Sequence, residues 1–425
     1  MQPFPARSRI EPGAAAPAEE AACTVELSEG AVTVLPDGGP ALRLPFAEIA
    51  RWTAEDQLVS LELTGGGRLR LSAMGRRFEA FCRALPAARA EHLGQALLLL
   101  ERGASAEESG ELRWRGGAAE AGRVRLQRTS LVAFPRQSLP FRVGYGEVRG
   151  LSFDAEAYAL VLALDDGRSL ELLRFGKRTD ALRAGIAERR DALASRALRA
   201  LQALAPQVPA LSLRALGALL PDGVPAGRAA LEAAAPGAWE AMLERAFAAG
   251  GRREAAEHLA ARAREAWLAV KETDPPAAEA SASEHRSPGE VQPQGEAAGE
   301  AEPSPGSTLP EELAGRELLY LFQVDRALAL EVPSSTESAT YLFRAGQDPA
   351  RSARALVRAL AAIQFRREPI SLPDEQLLGA RGARYGEALR LLPGLRAARE
   401  SFLGRAVHSG GDAWRRALEA ALARA

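Results

Sequence analysis

Residues 24–52 align without a gap on residues 123–151, at a constant offset of 99, so whatever the first stretch folds into the second must fold into as well. The hexapeptide Leu44-Pro45-Phe46-Ala47-Glu48-Ile49 returns as Val143-Gly144-Tyr145-Gly146-Glu147-Val148. Apolar positions coincide: Val25 with Val124, Leu27 with Leu126, Val32 with Leu131, Leu42 with Phe141. The offset then steps to 101 in a polar stretch, an insertion that a loop tolerates. Beyond it Val59, Leu61 and Leu63 face Leu160, Leu162 and Leu164, with the alternation of a strand buried on one face. Gly65-Gly66 faces Asp166-Gly167, two dipeptides suited to a hairpin turn with positive φ.

After Gly75-Arg76-Arg77, matched by Gly176-Lys177-Arg178, the apolar period lengthens to that of a helix. Phe78, Phe81 and Leu85 form the stripe in one copy, Leu182 and Ile186 in the other. Pro86 is expected to end the first helix, while the second runs on toward Leu204. Short strands in sequential hairpins, closed by one amphipathic helix, predict a small bent sheet or barrel. That order resembles the pleckstrin-homology-like superfold in tandem, over modules at 23–102 and 111–205. Two features depart from it. The tryptophan that family often carries in its closing helix is missing, and the turn Ser28-Glu29-Gly30 is acidic where phosphoinositide-binding members are basic. The resemblance implies a scaffold, since that superfold binds lipids, peptides and proteins alike.

A chain of 425 residues needs more cores than these two modules supply. Residues 1–22 lack the apolar run of a secretory signal and are read as a disordered tail. Residues 206–272 have helical spacing around Trp239, Met242, Leu259 and Trp267. Residues 273–310, rich in Pro, Ala, Ser, Gly and Glu, are read as a disordered acidic linker. A C-terminal α+β domain is expected over 311–425, with strands around Leu318, Leu328 and Tyr341, a helix from Pro349 to Ile363, and an extended segment at Phe365 to Ile370. The fold class is thus α+β throughout.

Net charge is −1, so no global field draws the chain to nucleic acid or an anionic membrane. Lys177 and Lys271 are the only lysines; arginine, in an Ala-, Gly- and Leu-rich composition that points to a GC-rich bacterial genome, is the default cation. Cys23 and Cys82 make no disulfide framework or metal spacing, and no stretch has the roughly 18 apolar residues of a membrane span, so a cytoplasmic protein without metal or cofactor is expected. None of His92, His258, His285 and His408 stands in a recognisable catalytic motif, and phosphate-binding glycine loops and nucleophile elbows are missing, so an enzyme is not expected.

Two candidate constellations remain. Glu48 and Glu147 match where most solvent-facing positions do not, and are read as structural, each pointing to solvent or accepting a hydrogen bond from a nearby amide. Arg344, Arg366, Arg367, Tyr385, Arg405, His408 and Trp414 gather in the basic C-terminal domain, where guanidinium forks and aromatics could hold phosphate or stack on bases. Gly404 to Gly411 is read as a helix ending in a glycine-rich turn. The function expected is that of an intracellular protein-interaction scaffold, binding an unidentified protein by strand addition at an open sheet edge or in an apolar slot beside a closing helix. The alternative is nucleic-acid or phosphate binding through the C-terminal arginines, with membrane lipid a weaker partner.

Overall fold

Phe4, Ala6 and Ser8 are buried while Pro5 and Arg7 between them are exposed, and this period of two makes residues 4–11 a strand, β1 (Phe4–Glu11), where a disordered tail is expected. The computed structural model describes residues 3–11, 20–28, 30–103, 105–247, 252–273, 313, 315–333, 339–379, 385–408 and 411–425. The acidic linker, apart from Thr273, and residues 12–19 of the tail lie outside them. Two units divide the chain: Met1–Asp191 with Leu372–Arg396, and Ala192–Ser371 with Ala397–Ala425.

In the first unit β2 (Ala21–Ser28), β3 (Ala31–Pro36), β4 (Leu42–Pro45), β5 (Ile49–Glu55), β6 (Leu58–Leu63) and β7 (Arg68–Ser72) precede the helix α1 (Phe78–Ala96). The antiparallel sheet runs β4-β3-β2-β1-β7-β6-β5. β1 is its middle strand, paired to β2 on one side and β7 on the other, so the N-terminal residues join its two halves. Its edges are β4 and β5.

The second copy repeats this with β8 (Ala106–Trp114), β9 (Glu120–Leu126), β10 (Ser130–Pro135), β11 (Phe141–Gly144), β12 (Val148–Asp154), β13 (Ala159–Leu164), β14 (Ser169–Leu173) and α2 (Thr179–Leu204), in the order β11-β10-β9-β8-β14-β13-β12. A register shift after Ile49 recurs after Val148. The duplicated unit therefore starts at 4 and 106, ahead of the expected 23 and 111. Within the first core Phe46, Trp52, Leu61, Leu71, Phe81 and Leu85 are buried, each contributing about 1.5–3 kcal/mol by leaving water.

α1 does not stop at Pro86. Proline has no N–H, so the Cys82 carbonyl loses its usual donor four residues on, and the sheet packed against the helix holds it together across that gap.

The second unit carries α3 (Ala210–Leu219), β15 (Ala226–Gly227), α4 (Arg228–Ala234), α5 (Ala238–Ala246), α6 (Arg252–Arg262), β16 (Glu265–Glu272), β17 (Arg316–Val324), β18 (Ala327–Glu331), β19 (Ala339–Arg344), α7 (Pro349–Ala362) and α8 (Glu368–Ser371). Residues 372–396, in the first unit, carry α9 (Asp374–Leu378) and α10 (Gly386–Leu391). Then come α11 (Pro393–Ser401), β20 (Phe402–Val407) and α12 (Gly411–Leu422). The sheet is a plain meander, β15-β16-β17-β18-β19-β20, unlike the two modules, whose first strand is central. One face packs Leu268, Tyr320, Phe322 and Leu342 against Trp239, Met242, Leu259 and Leu418, with the Trp239 and Tyr320 rings edge to face at 5.5 Å. On the other, Leu319, Leu321, Tyr341 and Phe343 are buried too, and α7 contacts β16 and β17.

Three expectations change here. Residues 265–272 are a strand of this sheet rather than the end of a helical region. Residues 368–371 form a helical turn rather than an extended segment, with Pro369 in its first turn, where a missing N–H costs little. Residues 402–407 form β20, not a helix, and Gly404 takes φ +143° where the strand shifts register.

Candidate interaction site

The turn between β10 and β11 carries Arg136-Gln137-Ser138, and its side chains grip the edge of the first module. Trp52 N–H on β5 donates to Gln137 Oε1 at 3.0 Å, and Gln137 Nε2 donates to the Trp52 carbonyl at 2.7 Å. One carboxamide thus satisfies both main-chain groups of an edge residue, as a neighbouring strand would. The Trp52 indole N–H donates to the Arg136 carbonyl at 3.3 Å, and the Arg136 guanidinium lies 4.6 Å from the ring centroid. Glu120 holds the turn's shape by accepting from Ser138 N–H at 2.9 Å and Ser138 Oγ at 2.6 Å. From α1, Arg89 donates to the carbonyls of Ser138 (3.2 Å) and Ile49 (3.4 Å). Burial pulls the Arg89 pKa down, and Glu120 opposes the shift.

Gln137→Ala removes both bonds to Trp52 and leaves its N–H and carbonyl to whatever water reaches them. The expected cost is about 1–3 kcal/mol, read as a lower urea midpoint together with faster exchange of the Trp52 amide. An unchanged Trp52 exchange rate would show that the carboxamide does not hold the seam.

Beside this seam α1 and the second sheet leave a groove of about 470 Å³. Cys82, Pro86, Ala87, Ala90, Phe134 and Pro135 give it an apolar floor, with Arg83, Arg123 and Arg136 facing one acid, Glu79, around it. Phe134 lies so near α1 that a Cβ on Gly94 would stand 3.0 Å from its ring. Arg123 is committed to Glu107 at 2.5 Å, which leaves Arg83 and Arg136 as the exposed cations at the rim. Burial raises the Cys82 pKa, so this thiol is a weak nucleophile at neutral pH.

The matched glutamates differ in their side-chain bonds. Glu147 accepts from Gly144 N–H at 2.9 Å and so closes the short turn before β12. Glu48 has Pro45 at the equivalent position, which offers no N–H, so the side-chain bond is not what the two copies share. The main chain is common to both, since the carbonyls of Glu48 and Glu147 each accept from the facing hairpin, from Thr64 and Asp165 at 2.9 Å.

The C-terminal constellation does not form one site. Arg344 reaches the turn after α12, donating to the Arg424 carbonyl at 3.3 Å. Arg405 lies opposite Tyr341 on the other face of the sheet, where Arg367 stands 5.7 Å from the Tyr341 ring. Arg366 is exposed after α7. Tyr385 is fully buried in the first unit and Trp414 is buried in the second, so neither ring is open to a base.

His408 and Trp414 do meet, with two residues that sequence spacing could not connect to them. Trp414 Nε1–H donates to Thr340 Oγ1 at 2.8 Å, and Thr340 donates to Glu331. His408 Nε2 lies 3.2 Å from Thr340 Oγ1 and 3.3 Å from Glu331. A base that activates a hydroxyl uses one ring nitrogen and is oriented through the other. Here hydroxyl and carboxylate share Nε2, while Nδ1 is buried without a partner among the described residues, and Thr340 is fully buried. The geometry is that of a core polar cluster.

Fold and seam together define a mixed α+β protein with a duplicated seven-stranded antiparallel module, the copies clasped through an edge strand. Among the described residues no helix is long and apolar enough to cross a membrane. No family model and no curated protein matches the chain. Among solved structures, one titled "Structure of the Spt16D Pob3N heterodimer" aligns over 39% of this chain and 84% of its own, at 12% identity and a TM-score of 0.15.

Proposed function

We propose that this chain is a non-enzymatic protein-interaction scaffold built on two pleckstrin-homology-like modules in tandem. The observation that carries the reading is the groove between α1 and the second sheet, whose apolar floor is bounded by two exposed guanidinium groups, Arg83 and Arg136. It suits an extended segment of a partner protein that inserts an aliphatic side chain and flanks it with a carboxylate. The seam supports the reading by fixing the two modules around the groove, so that it needs little ordering when a segment enters.

The test uses the full chain with a photo-crosslinking residue in place of Ala87, in cells and in extract, with crosslinked material identified by mass spectrometry. Crosslinks to an acidic, aliphatic segment of one protein, lost in the Arg83→Glu variant, are the expected result. Crosslinks to nucleic acid, or crosslinks that Arg83→Glu leaves unchanged, would overturn it. Salt provides a second reading: phosphate contacts weaken steeply between about 50 and 200 mM, whereas an apolar groove with one ion pair loses only a few-fold.

A further inference from the structure

The two modules present the same edge, yet only one is occupied. Trp52 on β5 pairs with Leu61, and its N–H and carbonyl turn away from β6 to meet Gln137. Leu151 on β12 pairs with Leu162, the residue equivalent to Leu61, so its N–H and carbonyl also turn outward. Among the described residues nothing bonds to them.

The side chains around the two edges differ in one direction. Where the first module has Ala54 and Gln57, the second has Phe153 and Tyr158, which are 37% and 54% exposed and pack edge to face at 5.3 Å. The residues immediately before β6 and β13 both have positive φ, +64° at Gln57 and +47° at Tyr158, while the second loop is two residues longer and carries the larger side chains. Asp154 Oδ1 accepts from the N–H groups of Glu156 and Ala157, each at 3.0 Å, and fixes the hairpin on which the aromatic pair stands. A rigid, exposed aromatic pair beside an unpaired main-chain edge marks a contact surface.

We propose that the β12 edge docks a turn of another protein in the way that β5 docks the Arg136-Gln137 turn, an inference that rests on reading the chain as a protein-interaction scaffold. The occupant presents a Gln or Asn carboxamide to the N–H and carbonyl of Leu151, and a neighbouring guanidinium or aliphatic stem covers Phe153 and Tyr158 as Arg136 covers Trp52. A second copy of this chain does not fit. Its Gln137 is already engaged on its own Trp52, and the equivalent turn of its first module reads Asp37-Gly38-Gly39, with no carboxamide to offer.

The chain supplies its own probe, a cyclic peptide carrying Pro-Arg-Gln-Ser-Leu-Pro, the sequence of the turn that β5 accepts. Added to the full chain, it should slow hydrogen exchange of residues 149–154. A peptide with Ala for its Gln should bind about ten-fold more weakly. The chain variant Phe153→Ala/Tyr158→Gln, which restores the residues of the first module, should weaken binding by a similar factor without altering thermal stability, since both side chains are exposed. Leu151→Pro removes the edge N–H and should abolish protection. Protection at 149–154 that the Gln-to-Ala peptide reproduces, or no protection there at all, would overturn the inference. So would a concentration-dependent dimer that Leu151→Pro abolishes, because it would make a second copy the occupant. None of these readouts involves the groove, so Ala87 crosslinking can fail while β12 docking stands, and the reverse.

Discussion

Replacing Asp222 by alanine is expected to destabilise the second unit by about 3–5 kcal/mol, because it strands a buried ammonium. Lys271 lies on β16 with only 6% of its side chain exposed, and its Nζ donates to Asp222 Oδ2. The other carboxylate oxygen accepts from Glu272 N–H at 2.6 Å, so the loss also removes an acceptor from a buried main-chain donor. Gly223, at φ +74°, lets the loop pass close over the lysine, since a Cβ there would stand 3.0 Å from Lys271 Cδ. The stranded charge, rather than lost packing, is the predicted cause, and the double variant Asp222→Leu/Lys271→Met distinguishes them. With both ends of the pair apolar, most of the lost stability should return in chemical denaturation. A double variant as unstable as Asp222→Ala alone would assign the cost to shape.

The ion pair also shows why β16 was hard to read. In Glu265–Glu272 nearly every residue is buried, as in a strand covered on both faces, and such a strand has no alternation to betray it. With Trp267 spaced from Leu259 as on a helix, the continuation of a helical region is the natural reading. β1 escaped for a different reason. Its inward residues, Phe4, Ala6 and Ser8, are mostly small or polar, and the alignment of the two copies starts only at β2. What the repeat did reveal, strand by strand from β2 to β7 and again from β9 to β14, rests on large alternating aliphatics whose period survives divergence.

The seam was legible only in part. Pro36 and Pro135 align and mark equivalent turns, but the residues that work, Arg136 and Gln137, are the ones where the copies differ from Asp37 and Gly38. Asymmetry between repeats, more than their agreement, was the signal to follow, and Ala54 and Gln57 against Phe153 and Tyr158 carry it again at the β12 edge. The arginine cluster failed for a geometric reason. Arg344 and Arg405 are close along the meander, but strand alternation puts them on opposite faces of the sheet. His92 illustrates the limit of spacing altogether. Its ring lies under Gly30 and its Nε2 is 2.9 Å from Glu387, 295 residues away.

Glu101 carries the second large effect, and it depends on pH. The residue lies between the modules with 4% of its side chain exposed, and its carboxylate accepts from Thr129 N–H (3.0 Å), Thr129 Oγ1 (2.6 Å), Ser130 Oγ (2.7 Å) and the Arg142 guanidinium (2.6 Å). Burial alone would raise its pKa, but Arg142 and the three donors overcome it, and the folded chain holds this carboxyl below its ordinary 4.5. A carboxyl with a lower pKa folded than unfolded adds stability that is fully present above the unfolded value and fades as pH falls through the folded one. Glu101→Ala should therefore cost about 3–5 kcal/mol at pH 7, because it takes the carboxylate away from the buried Arg142 and removes an acceptor shared by Thr129 and Ser130. Glu101→Gln should cost less, since its amide oxygen still accepts from the turn. The gap between wild type and Glu101→Gln should narrow as pH drops below about 4.5, because protonation takes from the wild type the charge that the variant already lacks. Urea midpoints measured from pH 7 to pH 3 decide it. A gap constant across that range would mean that the Glu101 charge contributes nothing, and that the turn at Thr129 and Ser130 is held by neutral hydrogen bonds alone.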